Sequence, residues 1–110
     1  MAKSLINSKV IIYENDFTDR NVVATIINVA EDYKAMLLKL RDPLVWNKKR
    51  LNYVVAKTRL VNDSFEPLKF KKTIGCGTTW ISKEKLNPQE PFDTSWWRGG
   101  AAAITSLKLL

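Results

Sequence analysis

The chain has 110 residues, with 18 lysines and arginines against 11 aspartates and glutamates, and it contains no histidine. Its 45% hydrophobic and 26% charged residues are typical of a globular protein and argue against wholesale disorder. One cysteine excludes an internal disulfide, and no apolar run approaches the roughly 20 residues of a membrane-spanning helix. We therefore expect one soluble domain over residues 1–110, in the reducing cytoplasm and without a signal peptide.

The first third of the chain predicts two strands. Residues 9–14 (KVIIYE) are β-branched and aromatic but too few for a helix, and an Asn- and Asp-rich turn follows at 15–21. Residues 21–30 (NVVATIINVA) form the clearest strand, because so many β-branched side chains would crowd a helix. Alternation places Val22, Ala24 and Ile26 on one face, and on the other face Val23, Thr25, Ile27 and Val29.

Residues 31–40 (EDYKAMLLKL) have two interpretations. The spacing of Tyr33, Met36, Leu37 and Leu40 is helical, which allows a helix at about 29–41. The alternation of residues 36, 38 and 40 instead suits a strand, joined to 21–30 by a tight turn at residues 31 and 32. The short strands on both sides favour this hairpin.

The second half of the chain predicts further short strands. Residues 42–52 suggest a loop that leaves and re-enters the sheet, and residues 50–61 a strand with Leu51, Tyr53 and Val55 on one face. A turn is expected at 62–67, followed by extended segments at 68–76 and 78–82 and a proline-bearing connection at 83–93. Residues 101–110 could form either a strand or a short helix.

Together these segments predict a mostly β fold. Five or six short strands in series indicate a small single-domain antiparallel barrel or rolled sheet, with at most one or two short helices. The alternative is an α+β fold with the helix at about 29–41. The layout of strands over residues 9–82 resembles small barrels of the Src-homology-three or Tudor type, although it carries no motif of either family.

The composition argues against most enzyme chemistry. Without histidine there is no Ser-His-Asp or Cys-His catalysis, and most zinc sites are excluded. Cys76 lies between Gly75 and Gly77 in TIGCGTTWIS, with no imidazole to make its thiolate, so we expect a buried, inert thiol in a strand that bulges or kinks. Acidic residues at 14–19 and 31–32 fit solvated turns. We predict no catalytic residue, cofactor or metal.

Positive charge and tryptophans indicate binding instead. Between Arg41 and Lys72, nine basic and three acidic residues give +6, nearly the whole net charge of +7. Such a block attracts acidic macromolecules, and TSWWRGG (94–100) adds adjacent tryptophans beside an arginine. The residues expected to contact a partner are Trp96, Trp97, Arg98, Lys48, Lys49, Arg50, Lys69, Lys71 and Lys72.

The expected partner is an acidic macromolecule, and membrane insertion is not expected. We rank a protein, engaged by an adaptor or inhibitor, before nucleic acid, because Phe70 is the one aromatic residue among the lysines of KFKK and cannot form a row for reading bases. Nucleic-acid binding through the basic block 41–72 is the alternative.

Overall fold

The computed structural model describes residues 5–13, 21–30, 35–46, 48–58, 65–81 and 101–110, and all structural statements below concern these residues. They form six antiparallel strands in which each strand pairs with the next along the chain, and the last pairs with the first. The result is a closed barrel, which confirms the predicted mostly β, small-barrel fold. Closure leaves no sheet edge along the barrel wall.

The strands are β1 (Lys9–Tyr13), β2 (Val22–Ala30), β3 (Ala35–Trp46), β4 (Lys49–Thr58), β5 (Ile74–Ile81) and β6 (Ala101–Leu109). A short 3₁₀ helix, Glu66–Phe70, lies between β4 and β5. In β1, Val10 and Ile12 are buried while Lys9 is exposed, the period-two pattern of a strand with one face on the core. Glu14, the last residue of the predicted first strand, lies outside the described residues.

The predicted hairpin of β2 and β3 is confirmed, and the alternative helix at about 29–41 is wrong. The two strands pair from Ala24 opposite Leu40 to Ala30 opposite Ala35. The helical spacing of residues 36, 37 and 40 has another cause: Leu37 is buried on the outer face of the barrel, while Met36 and Leu40 belong to the interior core. A strand buried on both faces imitates an amphipathic helix over so short a run.

A β-bulge corrects the predicted faces of β2. Ile26 lies opposite Leu38 and Asn28 opposite Leu37, so Ile27 is an extra residue in the ladder. The alternation therefore reverses after it, and Val29 joins the interior core that we expected it to face away from. The Asn28 side-chain oxygen accepts a 2.8 Å hydrogen bond from the Val29 amide at this point.

The predicted loop over residues 42–52 is wrong. Strand β3 continues to Trp46 and β4 begins at Lys49, so that only two residues connect them. What the sequence does mark is an irregularity: Lys39 pairs with Tyr53 and Leu44 with Leu51, so extra residues of β3 around Pro43 bulge out of the ladder. Proline lacks an amide hydrogen and is tolerated in such a bulge.

The face assignment of β4 also needs correction. Leu51 packs with the interior core, whereas Tyr53 and Val55 belong to a second apolar cluster on the outer face with Ala35, Leu37 and Ile81. The ladder irregularity in β3 lies opposite Asn52, between the two groups, and accounts for the change of face.

The extended segment predicted at residues 68–76 begins six residues later than expected, at Ile74. Pro67 lies in the first turn of the 3₁₀ helix, where its fixed φ suits helical backbone, and Lys71 ends the helix in the left-handed conformation with φ 56°. Phe65 and Leu68, three residues apart, are both buried in the interior core. Side chains three residues apart lie on the same face of a 3₁₀ helix. The apolar positions in LKFKK therefore reflect the three-residue turn of this helix and not the two-residue alternation of a strand.

Strands β5 and β6 resolve two further questions. The register of β5 runs without interruption against both neighbours, so Cys76 lies in a strand, as expected, but the bulge predicted at Gly75 and Gly77 is absent. Residues 101–110, which allowed a strand or a helix, form β6, and β6 closes the barrel against β1.

Candidate functional site

The barrel interior is filled with side chains and therefore offers little room for a ligand. Trp80, the largest fully buried residue, lies among Ile12, Ile26, Leu38 and Leu107, all with 0% exposure. Its indole nitrogen donates a 3.1 Å hydrogen bond to the Thr78 hydroxyl, so the polar atom of this core tryptophan is satisfied. Among the described residues, the surfaces open to another molecule therefore lie on the outside of the barrel.

Cys76 belongs to this interior. Its side chain is fully buried, and its Sγ lies 3.7 Å from the Thr105 Oγ1 on the neighbouring strand. Burial raises the pKa of the Cys76 thiol from 9.0 to about 11, against the smaller opposing effect of the Thr105 hydrogen bond. The predicted buried thiol is confirmed, and at neutral pH it lacks the thiolate that a nucleophile needs.

The antiparallel order divides the basic block between two opposite ends of the barrel. Successive connections alternate between the ends, so the β3–β4 connection lies at one end and the β4–β5 connection at the other. We call these the hairpin end and the 3₁₀ end. Lys48, Lys49 and Arg50 lie at the hairpin end, and Lys69, Lys71 and Lys72 at the 3₁₀ end. The block therefore does not form a single patch.

Trp96, Trp97 and Arg98, the other predicted contact residues, lie outside the described residues. So do the acidic groups at 14–19 and 31–32. Ile81 and Ala101, the described residues on either side of the tryptophan segment, both lie at the hairpin end.

The hairpin end carries a two-stranded ribbon, residues 44–46 and 48–51, formed by the tips of β3 and β4. Leu44 pairs with Leu51, Val45 with Arg50 and Trp46 with Lys49. Described pairing of these strands with β2 stops at Ala24–Leu40 and with β5 at Tyr53–Ile81, so the ribbon extends past the rest of the described barrel wall. Val45 is 77% exposed, and Lys48 and Arg50 are also exposed.

The 3₁₀ end carries an exposed aromatic side chain. Phe70 is 73% exposed, although it is the last residue of the 3₁₀ helix, whose Leu68 is fully buried. Lys71 and Lys72 beside it are exposed as well. Lys69 is different, because its Nζ lies 3.2 Å from the Glu66 Oε2, and its hydrogen bond lowers the pKa of that carboxyl. Phe70 is thus an exposed apolar side chain next to two exposed lysines, on a helix that is anchored in the core.

Further outward-facing cations escaped the sequence analysis because they are far apart in the chain. Lys9, Lys39 and Lys108 lie on the outer face of β1, β3 and β6, with Arg41 two residues beyond Lys39. Lys9 and Lys108 lie at the 3₁₀ end of their strands, and β3 and β6 are three strands apart in the ring of six, so these cations do not form a single patch. On the six strands Asp42 is the one acidic residue, and its Oδ2 lies 3.0 Å from the Arg41 Nε at the surface. Strand alternation alone could have indicated that these cations point outward.

A cleft of about 350 Å³ lies between the start of β2 and the bulge of β3. Its lining joins both signs of charge with apolar groups: Asn21, Val22, Val23, Arg41, Asp42, Pro43 and Leu44. The Arg41–Asp42 pair is exposed and therefore weak. Among the described residues no group of three or more potential Cys, Asp or Glu ligands could hold a metal ion.

The comparisons with known proteins give no relative for this chain: no protein-family model, no curated protein and no solved structure matches it. In the described part of the chain, no helix has the length and apolar character to cross a membrane. The cytoplasmic location stays a prediction.

Proposed function

We propose that this protein is a non-enzymatic binding module, and that it binds an acidic partner protein through Phe70, Lys71 and Lys72 at the 3₁₀ end. The exposure of Phe70 carries the proposal. Moving a phenylalanine side chain from water into an apolar pocket is worth roughly 1.5–3 kcal/mol, and aromatic anchors of this kind dominate many protein interfaces.

The support beneath Phe70 makes it suitable as an anchor. Phe65 and Leu68 fix the 3₁₀ helix in the core, and backbone hydrogen bonds run from the Lys71 amide to the Leu68 carbonyl (3.0 Å) and from the Lys72 amide to the Pro67 carbonyl (3.2 Å). An anchor that is already held in place loses little conformational entropy when a partner covers it. The matching surface would be an apolar pocket with carboxylates at its rim.

The two exposed lysines have a separate role in this proposal. Charges at the rim of an interface mainly steer the encounter and increase the association rate. Lys71 and Lys72 would do this for an acidic partner, whereas Lys69 is already paired with Glu66.

A capture experiment tests the proposal. Wild-type protein, Phe70→Ala and Val45→Ala are used as baits on nuclease-treated extract, and captured proteins are identified by mass spectrometry. Val45→Ala is the matched control, because Val45 is an equally exposed apolar residue at the opposite end. We expect a partner that wild-type and Val45→Ala retain and Phe70→Ala loses.

The affinity of each variant for the purified partner gives the magnitude of each contribution to binding. Phe70→Ala should weaken the affinity at least about 30-fold, which corresponds to roughly 2 kcal/mol, and Lys71→Ala/Lys72→Ala should mainly slow association. A partner whose affinity is unchanged by Phe70→Ala would refute the proposed contact. Trp96→Ala, Trp97→Ala and Arg98→Ala belong in the same panel, since the contact predicted at these residues stays a prediction.

A further inference from the structure

We infer that the protein has a second binding site at the hairpin end, where the open edge of β3 and the adjoining cleft bind an extended acidic peptide segment of a partner protein. The site lies at the end of the barrel opposite to Phe70, so the inference goes beyond the proposed contact and does not depend on it.

The edge of β3 at the ribbon is open to another strand. Pairing between β2 and β3 stops at Ala24 and Leu40, although β2 itself begins at Val22. Residues 44–46 of β3 pair with β4, and on their other side no described residue pairs with them. The two strands therefore diverge at the hairpin end, and the backbone of the ribbon borders the space between them.

The register of the ribbon determines which backbone groups face this space. Trp46 and Lys49 close a two-residue hairpin, and a pair in that position exchanges the ladder hydrogen bonds. In the next pair, Val45 and Arg50, the backbone groups point away from each other. The amide and the carbonyl of Val45 are therefore directed to the open edge. An extended peptide can pair with them as an added strand, the mode of recognition called β-augmentation.

The cleft beside this edge provides contacts for the side chains of an added segment. Its volume of about 350 Å³ lies within the range of roughly 300–1,000 Å³ that ligand pockets have. Val22, Val23 and Leu44 contribute the apolar part of the lining. Val45 is 77% exposed, and its side chain can pack against an apolar residue on a neighbouring strand.

The charges around the cleft favour a peptide that carries carboxylates. The Arg41 Nε is bonded to the Asp42 Oδ2 at 3.0 Å, but a guanidinium has five N–H donors, so the terminal nitrogens of Arg41 can bind a further carboxylate. Lys48 and Arg50 are exposed in the same hairpin, and Asp42 is the one acidic residue on the six strands. An acidic segment complements this balance better than a basic one.

A second copy of the chain is the other occupant that an open edge could accept, because unpaired edges can pair with each other. Two copies joined at this edge would bring Arg41, Lys48 and Arg50 of both chains together, and each chain has a net charge of +7. Repulsion opposes that contact. Pro43 has no amide hydrogen, so the edge that can pair begins after it and the bound segment is short.

The test is an NMR titration of the isotope-labelled wild-type protein with three short peptides. One alternates valine and glutamate, the second has lysine in place of glutamate, and the third is the acidic peptide with a methyl group on every backbone nitrogen. The acidic peptide should shift the amide signals of Val22, Val23, Arg41, Leu44 and Val45. The other two should bind at least about tenfold more weakly, because one lacks the carboxylates and the other the main-chain donors.

Equal binding of the lysine peptide or of the methylated peptide would overturn the inference. Shifts confined to Phe70, Lys71 and Lys72 would do so too, because they would place the peptide at the 3₁₀ end.

Val45→Pro tests the edge directly. It removes an amide hydrogen that faces the open edge and no ladder bond to β4, so the barrel should remain folded, which far-UV circular dichroism checks. Val45→Ala is the matched control, because it shortens the side chain and keeps the amide. Val45→Pro should bind the acidic peptide about tenfold more weakly than Val45→Ala does. Equal affinities would refute the edge contact. If Val45→Pro does not fold, the methylated peptide tests the same pairing on wild type.

Arg41→Ala tests the carboxylate contact, with Lys72→Ala as the control that removes one positive charge at the opposite end. Arg41→Ala should weaken binding of the acidic peptide about five- to tenfold, and Lys72→Ala less than about twofold. Equal losses would indicate a general charge effect and overturn the inference. Sedimentation of the protein alone provides the last check: a dimer that Val45→Pro abolishes would assign the edge to a second copy and refute the peptide. None of these results changes the outcome of the Phe70 experiments.

Discussion

Cys76 illustrates how its place in a strand determines the chemistry of a side chain. Alternation along β5 points Cys76, Thr78 and Trp80 into the barrel, where all three are buried. The flanking glycines suggested a special backbone, yet a Cβ added at Gly77 would meet no atom within 4 Å and the ladder there is regular. The sequence was sufficient to predict a buried thiol, because a thiol without a nearby base is usually a small apolar core residue.

The raised pKa of Cys76 predicts a specific pH dependence of stability. Below about pH 9 the thiol is protonated in both the folded and the unfolded chain. Between 9.0 and about 11 the unfolded thiol loses its proton first, so the folded state binds more protons and the free energy of unfolding falls as pH rises. The loss approaches roughly 2–3 kcal/mol, at about 1.4 kcal/mol for each unit between the two pKa values.

Urea denaturation of wild type and Cys76→Ala at pH 8 and at pH 10 measures this effect. Lysines and tyrosines titrate in both proteins, so the alanine variant corrects for them. Wild type should lose more stability than Cys76→Ala between the two pH values, and the native thiol should react slowly with a thiol reagent at neutral pH. Equal losses, or labelling as fast as that of free cysteine, would show that the thiol is accessible.

At the scale of the elements, local signals identified the strands but not their exact limits. The Asp42-Pro43 step is a real irregularity, but the backbone pairing of the ribbon keeps residues 44–46 in β3 beyond it. Likewise the lysines of LKFKK gave no sign that Pro67 and the buried pair Phe65 and Leu68 impose a 3₁₀ helix. In both places the outcome depends on contacts with residues distant in sequence, which single-chain patterns do not contain.

The bulge in β2 gives a prediction for one element. Asn28 accepts a hydrogen bond from the Val29 amide, in a ladder that the extra residue Ile27 interrupts. Replacing Asn28 with alanine removes that acceptor and should cost about 0.5–1.5 kcal/mol of stability. Asn28→Asp is the control, since it keeps an oxygen at the same position and should cost less. The free energies of unfolding of wild type and both variants are compared by urea denaturation. An alanine variant as stable as wild type would show that the bulge does not depend on this bond.

At the scale of the whole molecule, strand order determines which charges act together. A run of basic residues in sequence suggested one binding block, but the up-and-down barrel places residues 48–50 and 69–72 at opposite ends. The same order places Lys9, Lys39 and Lys108 on the outer faces of three different strands, with Lys108 beside β1. The position of Lys108 beside β1 could not be predicted before β6 was known to be a strand, because β6 closes the barrel.

Closure by β6 predicts that the chain ends contribute strongly to stability. Leu107 is fully buried and pairs with Ile12 of β1 on one side and Ile74 of β5 on the other. Truncating a buried leucine to alanine typically costs 2–5 kcal/mol through lost contacts and the cavity left behind. Since small domains are stable by only about 5–15 kcal/mol in total, Leu107→Ala should unfold at a clearly lower urea concentration.

Leu110 provides the matched control for this test. It is the same residue type three positions later, but it is 61% exposed, so Leu110→Ala should change stability by less than about 0.5 kcal/mol. Tryptophan fluorescence and far-UV circular dichroism should report the same midpoint for each protein, because a closed barrel whose first and last strands pair is expected to unfold as one unit. If Leu107→Ala were as stable as Leu110→Ala, β6 would not be part of the cooperative structure, and a barrel closed between β1 and β6 would be refuted.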